Sequence, residues 1–163
     1  LAAEYLLSIG KKKIAFIGGP KAEQEVKLRY QGFESALNSV GLKPDPNRVV
    51  YGDYSTQAGY QGMHKLLDPE MDAVFANSDF IAIGAMNAVR ERGKRVPEDI
   101  SVVGYDDISL AQYSNPPLTT VRQNINESGR LLVQNLIQYL ETGIVTNVTV
   151  PVELVVRAST SGS

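Results

Sequence analysis

The chain has 163 residues, 43% hydrophobic and 21% charged, the profile of a soluble globular protein of about one domain with enough length for a real core. It has no cysteine and a single histidine, His64, which excludes a disulfide framework, a thiolate nucleophile and a Cys- or His-built metal cluster, and argues against a Ser-His-Asp hydrolase. Net charge is −2 and only Lys11–Lys13 is locally basic, poor support for direct nucleic-acid binding by this segment, and no apolar run approaches the roughly 20 residues that span a bilayer.

Ala3, Leu6 and Leu7 recur at helical spacing, with Gly10 placed as a stop. IAFIG (14–18) reads as a buried strand. After the turn at Gly19-Pro20, a helix carries Val26, Tyr30, Phe33, Leu37 and Val40 at alternating steps of four and three, and Gly41 ends it. RVVY (48–51) is the next strand. Ser55 is a candidate N-cap for a helix running to about Leu67. DAVFA (72–76) precedes a helix opened by Asn77-Ser78-Asp79, with Asp79 as the expected N-cap, carrying Ala82, Ala85, Met86 and Val89 and stopped at Gly93. ISVVGY (100–105) is the fourth strand and LTTV (118–121) a short extended piece. A last helix carries Leu132, Leu136, Ile137 and Leu140 before Gly143. VTVPVELVV (148–156) closes the series, and Pro151 within it argues for an edge or a bend. The tail ASTSGS is expected to be loose, and His64 to be a solvated surface residue.

Alternating strands and helices, with nearly continuous apolar strands, predict an α/β fold: an open parallel sheet with helices on both faces. In such sheets ligands bind outside the carboxyl ends of the strands. Here those ends are Gly18–Pro20, Gly52–Tyr54, Asn77–Asp79 and Tyr105–Asp107. The stretch VPEDISVVGYDD (96–107) is the most pointed of them, because a buried strand delivers two adjacent carboxylates. From the residues alone these are either turn acids or ligand acceptors.

The blocks GKKKIAFIGGP (10–20), RYQGFESAL (29–37), GDYSTQAGY (52–60), VFANSDFIAIGAMNAVRERGKRVPEDISVVGYDD (74–107), PPLTTVRQ (116–123) and ELVVRAST (153–160) together resemble the effector-binding core of LacI/GalR-type transcriptional regulators. They follow the family's order and cover nearly the whole chain. The resemblance implies a two-subdomain, periplasmic-binding-protein-like type I core with an effector in the cleft, and a helix-turn-helix headpiece that binds operator DNA as a homodimer. By this analogy residues 13–122 with 148–158 form the C-terminal subdomain. Residues 1–10 and 124–145 are helical pieces of the neighbouring N-terminal subdomain, and the headpiece is absent. The chain lacks an initiating Met and is read as a piece of a longer protein whose two outlying helices have lost their packing partners.

The same resemblance assigns effector-binding roles. Asp106 matches the family's acid at the end of the fourth strand, where a carboxylate accepts from two adjacent hydroxyls. Arg29 matches the arginine of R-x-x-G-F, a fixed fork of donors, and a pairing of Arg29 with Asp106 in the empty cleft is expected. Tyr54 stands where the family places an aromatic, whose face covers a sugar ring or stacks on a base. Ser78 stands where many members carry Asn, which leaves ligand identity open. Gln123 reaches either ligand or hinge, and Asp107 is expected to cap the following helical segment. Glu23 and Glu25, in a segment where relatives carry effector-reading polar residues, receive no role. The implied protein is a cytoplasmic ligand sensor, not an enzyme, without cofactor or metal. Its effector is a sugar or sugar phosphate, with a purine second. A periplasmic sugar-binding protein of a transport system is the alternative. No phosphate-cradling G-x-x-x-x-G-K-[ST] occurs, which weakens an enzymatic reading of the paired acids.

Overall fold

Side-chain alternation along the central strands sorts the core into two layers. In the computed structural model, which describes residues 1–66 and 70–160, all five residues of β1 (Ile14–Gly18) are buried. Ile14 and Phe16 point into one layer, Ala15 and Ile17 into the other. β3 (Ala73–Ala76) repeats this, with Ala73 and Phe75 opposite Val74 and Ala76, and β4 (Ser101–Asp106) does so through Val103 and Val102. Strands apolar on both faces need covers on both faces, and the helices supply them.

The sheet order is β2-β1-β3-β4-β5-β6, with β2 at Val49–Tyr51, β5 at Thr119–Gln123 and β6 at Val152–Val155. The first five strands are parallel, and β6 runs antiparallel to β5 with Thr120 opposite Val155. Pro151 immediately precedes this edge strand, where a missing N–H costs no ladder bond. The chain leaves β1 toward β2 and returns on its other side as β3. That reversal opens a crevice at the carboxyl ends of β1 and β3.

Helices α1 (Ala2–Ser8) and α2 (Gln24–Ser39) cover the Phe16 layer. There Phe16 meets Tyr30, Phe33 and Phe75 at ring-centroid distances of 5.3, 5.5 and 5.6 Å, within the range of favourable edge and tilted contacts. Helices α3 (Thr56–Leu66) and α4 (Asp79–Glu91) cover the other face. They approach so closely that a methyl group on Gly59 would overlap the Ile81 carbonyl, and one on Gly84 the Thr56 carbonyl. The expected end of α3 at Leu67 lies outside the described residues; the helix is described to Leu66.

Three expectations need correction. Helix α1 is not stripped of partners: Ala2, Ala3 and Leu6 are buried against α2, Phe16 and Phe75, so it packs as part of this core. The tail is not loose through Thr160. Ser159 is fully buried, its hydroxyl donates to the Val102 carbonyl at 2.6 Å, and it accepts from the Thr119 N–H at 2.8 Å. Residues 161–163 lie outside the described residues. His64 is partly covered rather than solvated, its ring edge-on to Tyr60 and its nitrogens bonded to Glu91 and Arg92. By contrast α5 (Ile125–Thr142) buries no residue, and Leu132, Val133, Leu136, Ile137 and Leu140 stand exposed, the uncovered apolar face that the sequence anticipates.

Candidate functional site

At the carboxyl end of β4 the backbone turns through two left-handed residues, Asp106 (φ 113°) and Asp107 (φ 55°). Non-glycine residues in that region are strained, and such strain persists only where the surroundings hold it. The turn sends the two carboxylates in different directions. Asp107 is nearly buried between Arg157 Nη2 (2.6 Å) and Arg122 Nε (2.5 Å). Burial works to raise its pKa, but these two guanidinium bonds prevail and hold it below the ordinary range. Asp107 is therefore an ion-pair anchor. It does not cap the following 3-10 turn (Ser109–Tyr113), whose cap position, Ile108, makes no side-chain bond.

Asp106 faces the rim. Gln123 Nε2 donates to its Oδ1 at 2.7 Å, and Arg29 Nη2 lies 4.0 Å from the same oxygen. Burial raises the Asp106 pKa, against the opposing pull of Arg29 and the Gln123 bond. Arg29 itself is fixed on two further sides: its Nη1 donates to the Asn77 carbonyl at 2.6 Å, and its guanidinium stacks 3.7 Å from the Tyr105 ring centroid. The structure thus brings Arg29, Asp106 and Gln123 together at the ends of β3, β4 and β5.

Tyr54 closes the opposite side. Its ring lies over Gly19, at the end of β1, so closely that any side chain at Gly19 would run into it. Its hydroxyl donates to Glu23 Oε2 at 2.7 Å. Burial and the Glu23 carboxylate push the phenol up to about 12, Glu25 adds to this and Arg29 opposes it.

Ser78 is put to a different use from the one expected. It is 3% exposed and its hydroxyl accepts from the Ile81 N–H at 3.3 Å as the N-cap of α4, which leaves little of it for a ligand. Asp79, expected as that cap, is instead the first helical residue and is fully buried. It accepts from Thr120 Oγ1 at 2.6 Å and from the Ile108 N–H at 2.8 Å, stapling the turn after Asp106–Asp107 to β5. Burial raises its pKa to about 6, with Asp106 and Asp107 adding to the rise and the two hydrogen bonds opposing it. Gly104 makes room for this carboxylate; a methyl group there would overlap it.

Sequence reasoning missed Asp79's staple and, though it placed Asn77 at a strand end, did not single it out; Asn77 is fully buried with both carboxamide atoms unpartnered. A polar residue directly after four apolar strand residues was the available signal. A cavity of about 710 Å³ continues the rim outward, lined by Asp106, Gln123, Asn124, Asn126 and Glu153. Among the described residues no group of three or more acidic or histidine side chains is arranged to hold a metal ion. No helix among them is long and apolar enough to cross a membrane.

The periplasmic binding protein-like domain family matches residues 3–160. The chain belongs to this family. Within it, the chain is similar to three regulators: the HTH-type transcriptional repressor PurR of Pasteurella multocida (39% identical, 98% of this chain and 49% of PurR), the regulator CelR of Thermobifida fusca (40%, 96% and 45%) and the repressor CytR of Escherichia coli (38%, 98% and 48%). The chain spans about half the length of the curated relatives it matches. Among solved structures it superposes on a CelR–cellobiose complex with a TM-score of 0.91 at 37% identity, covering 96% of this chain and 49% of that one. On the lac repressor dimer bound to operator and the anti-inducer ONPF the TM-score is 0.90 at 34% identity, covering 98% and 56%. The LacI/GalR resemblance and the α/β fold are thereby established for this periplasmic binding protein-like chain. The relatives named are transcriptional regulators.

Proposed function

We propose that this chain is part of the ligand-sensing core of a LacI-type transcriptional regulator, holding its C-terminal subdomain, with the effector bound at the rim formed by Arg29, Tyr54, Asp106 and Gln123. One observation carries the reading. Asp106 is held in a strained left-handed turn, with Gln123 on one of its oxygens and Arg29 near it, on a rim otherwise built from strand ends. A half-buried carboxylate beside a guanidinium offers acceptors and donors together, which suits a polyhydroxylated ring, and the Tyr54 face supplies the apolar contact. Ser78 is left out of the contact set because its hydroxyl caps α4.

In this reading the protein turns over no substrate, acts in the cytoplasm and reaches operator DNA through a separate headpiece as a homodimer. Regulation is a population shift: ligand bridging two subdomains favours one cleft geometry in proportion to its preference for that state. The exposed apolar face of α5 fits a covered position in such an assembly. The names of the relatives favour this over a transport-type sugar-binding protein. A thermal-shift screen of the chain against neutral sugars and nucleosides tests it, since a binder of the native state raises apparent stability. The expected result is a shift for at least one compound in the unaltered chain that Asp106→Ala abolishes. A shift untouched by both Asp106→Ala and Arg29→Ala would place the ligand elsewhere.

A further inference from the structure

Glu23 and Glu25 have no role in the reading so far, yet Glu23 bonds a rim residue and Glu25 follows it in the first helical turn. Glu23 is the residue before α2, and its carboxylate is tied to the Tyr54 hydroxyl at 2.7 Å. Glu25 lies in the first turn of the same helix. The N-terminus of a 16-residue helix presents unpaired N–H groups and a partial positive charge, and would ordinarily attract an anion. Here two carboxylates of the chain itself already stand there. Across the rim sits a third, Asp106. Arg29, already engaged with the Asn77 carbonyl and the Tyr105 ring, faces them, while Arg122 and Arg157 beside Asp106 are taken up by Asp107 and Glu153. Lys21 stands over the Tyr51 ring, 5.3 Å from its centroid. Three guanidiniums, Arg29, Arg122 and Arg157, against five carboxylates, Glu23, Glu25, Asp106, Asp107 and Glu153, leave the rim net acidic.

Resting on the ligand site proposed above, we propose that Glu23, backed by Glu25, sets the charge selectivity of this rim: it takes an uncharged, hydroxyl-rich ligand and rejects the phosphorylated counterpart. A neutral polyol donates O–H groups to Asp106 and Glu23 and accepts from Arg29. A phosphoryl group brings acceptors only and meets like charge from Glu23, Glu25 and Asp106. The Tyr54–Glu23 bond makes this a fixed arrangement, because it ties the carboxylate to the ring that lies over Gly19.

Inorganic phosphate is the probe, so the test does not wait on the effector. Melting temperature is measured for the chain in phosphate and in chloride at matched ionic strength, for the unaltered protein, for E23Q/E25Q and for E23Q/E25Q/R29A. Both glutamates are exposed, and their glutamine forms keep the shape of the side chains. The unaltered chain is expected to show no phosphate-specific rise. E23Q/E25Q is expected to gain a rise of about 3 °C at phosphate well above its Kd, and the triple variant to lose it. A phosphate-specific rise in the unaltered chain overturns the proposal, and so does a double variant indifferent to phosphate. The neutral-ligand screen of the preceding section is a separate readout. A rim that binds neutral ligands but tolerates phosphate refutes charge selectivity alone, whereas loss of Asp106-dependent binding refutes the site.

Discussion

Asp79 offers the sharpest test of how the rim is held. Its folded pKa is about 6 against an ordinary 3.8, so the folded chain binds the proton more tightly than the unfolded chain does. Protonation therefore favours folding. The contribution is complete below the ordinary carboxylate pKa and is lost as pH rises through about 6. A shift of about two units corresponds to roughly 3 kcal/mol, with stability falling by about 1 kcal/mol per pH unit near pH 5. Asp79→Asn removes the titration while keeping the staple. The amide oxygen accepts from the Ile108 N–H, and the Thr120 hydroxyl rotates to accept from the amide nitrogen. Urea unfolding between pH 4.5 and 7.5 measures both proteins, and the difference between the curves cancels carboxylates that titrate alike in each. The unaltered chain should lose stability relative to the Asp79→Asn variant as pH rises, and the variant should give the flatter curve. Parallel curves would refute the claim that this carboxylate is desolvated beneath the turn.

Gly84→Ala should destabilise the chain by about 3 kcal/mol in urea unfolding, because the new methyl group meets the Thr56 carbonyl of α3 rather than a side chain that can move. Arg157→Ala should cost about 3 kcal/mol by the same assay, since it strips one guanidinium from the nearly buried Asp107. Loss of the Ser78 cap in Ser78→Ala should cost about 1 kcal/mol and leave ligand affinity unchanged within about twofold, a result that titration of a bound ligand checks. A double-mutant cycle on Arg29 and Asp106 without ligand should give a coupling below about 1 kcal/mol, because the pair is 4.0 Å apart and partly exposed.

Much of the fold was legible because its signals are local. IAFIG coincides with β1, and the helix starts and glycine stops fall close to their expected places, with Gly41, Gly93 and Gly143 all at positive φ. The site was legible in part. Arg29, Asp106 and Gln123 meet, and Tyr54 lies on the same rim, but Ser78, Asp79 and Asp107 each do something other than expected. Polar side chains at strand ends and helix starts share one sequence appearance whether they cap, staple or bind. For Asp79 and Asp107 the outcome depends on donors 15 to 50 residues away, such as Arg122 and Arg157 for Asp107.

By itself the sequence determined the alternation of strands and helices, the two-faced burial of the central strands and the placing of acids at the end of β4. Periodicity and turn chemistry act over a few residues and are written in the order of the chain. Only the tertiary structure decided that α1 is covered while α5 is bare, that Asp107 is an anchor while Asp106 faces outward, and that Glu23 reaches Tyr54 from 31 residues away. Those outcomes depend on which groups packing brings within hydrogen-bond reach, and the strand order that sets this is not encoded in any single segment.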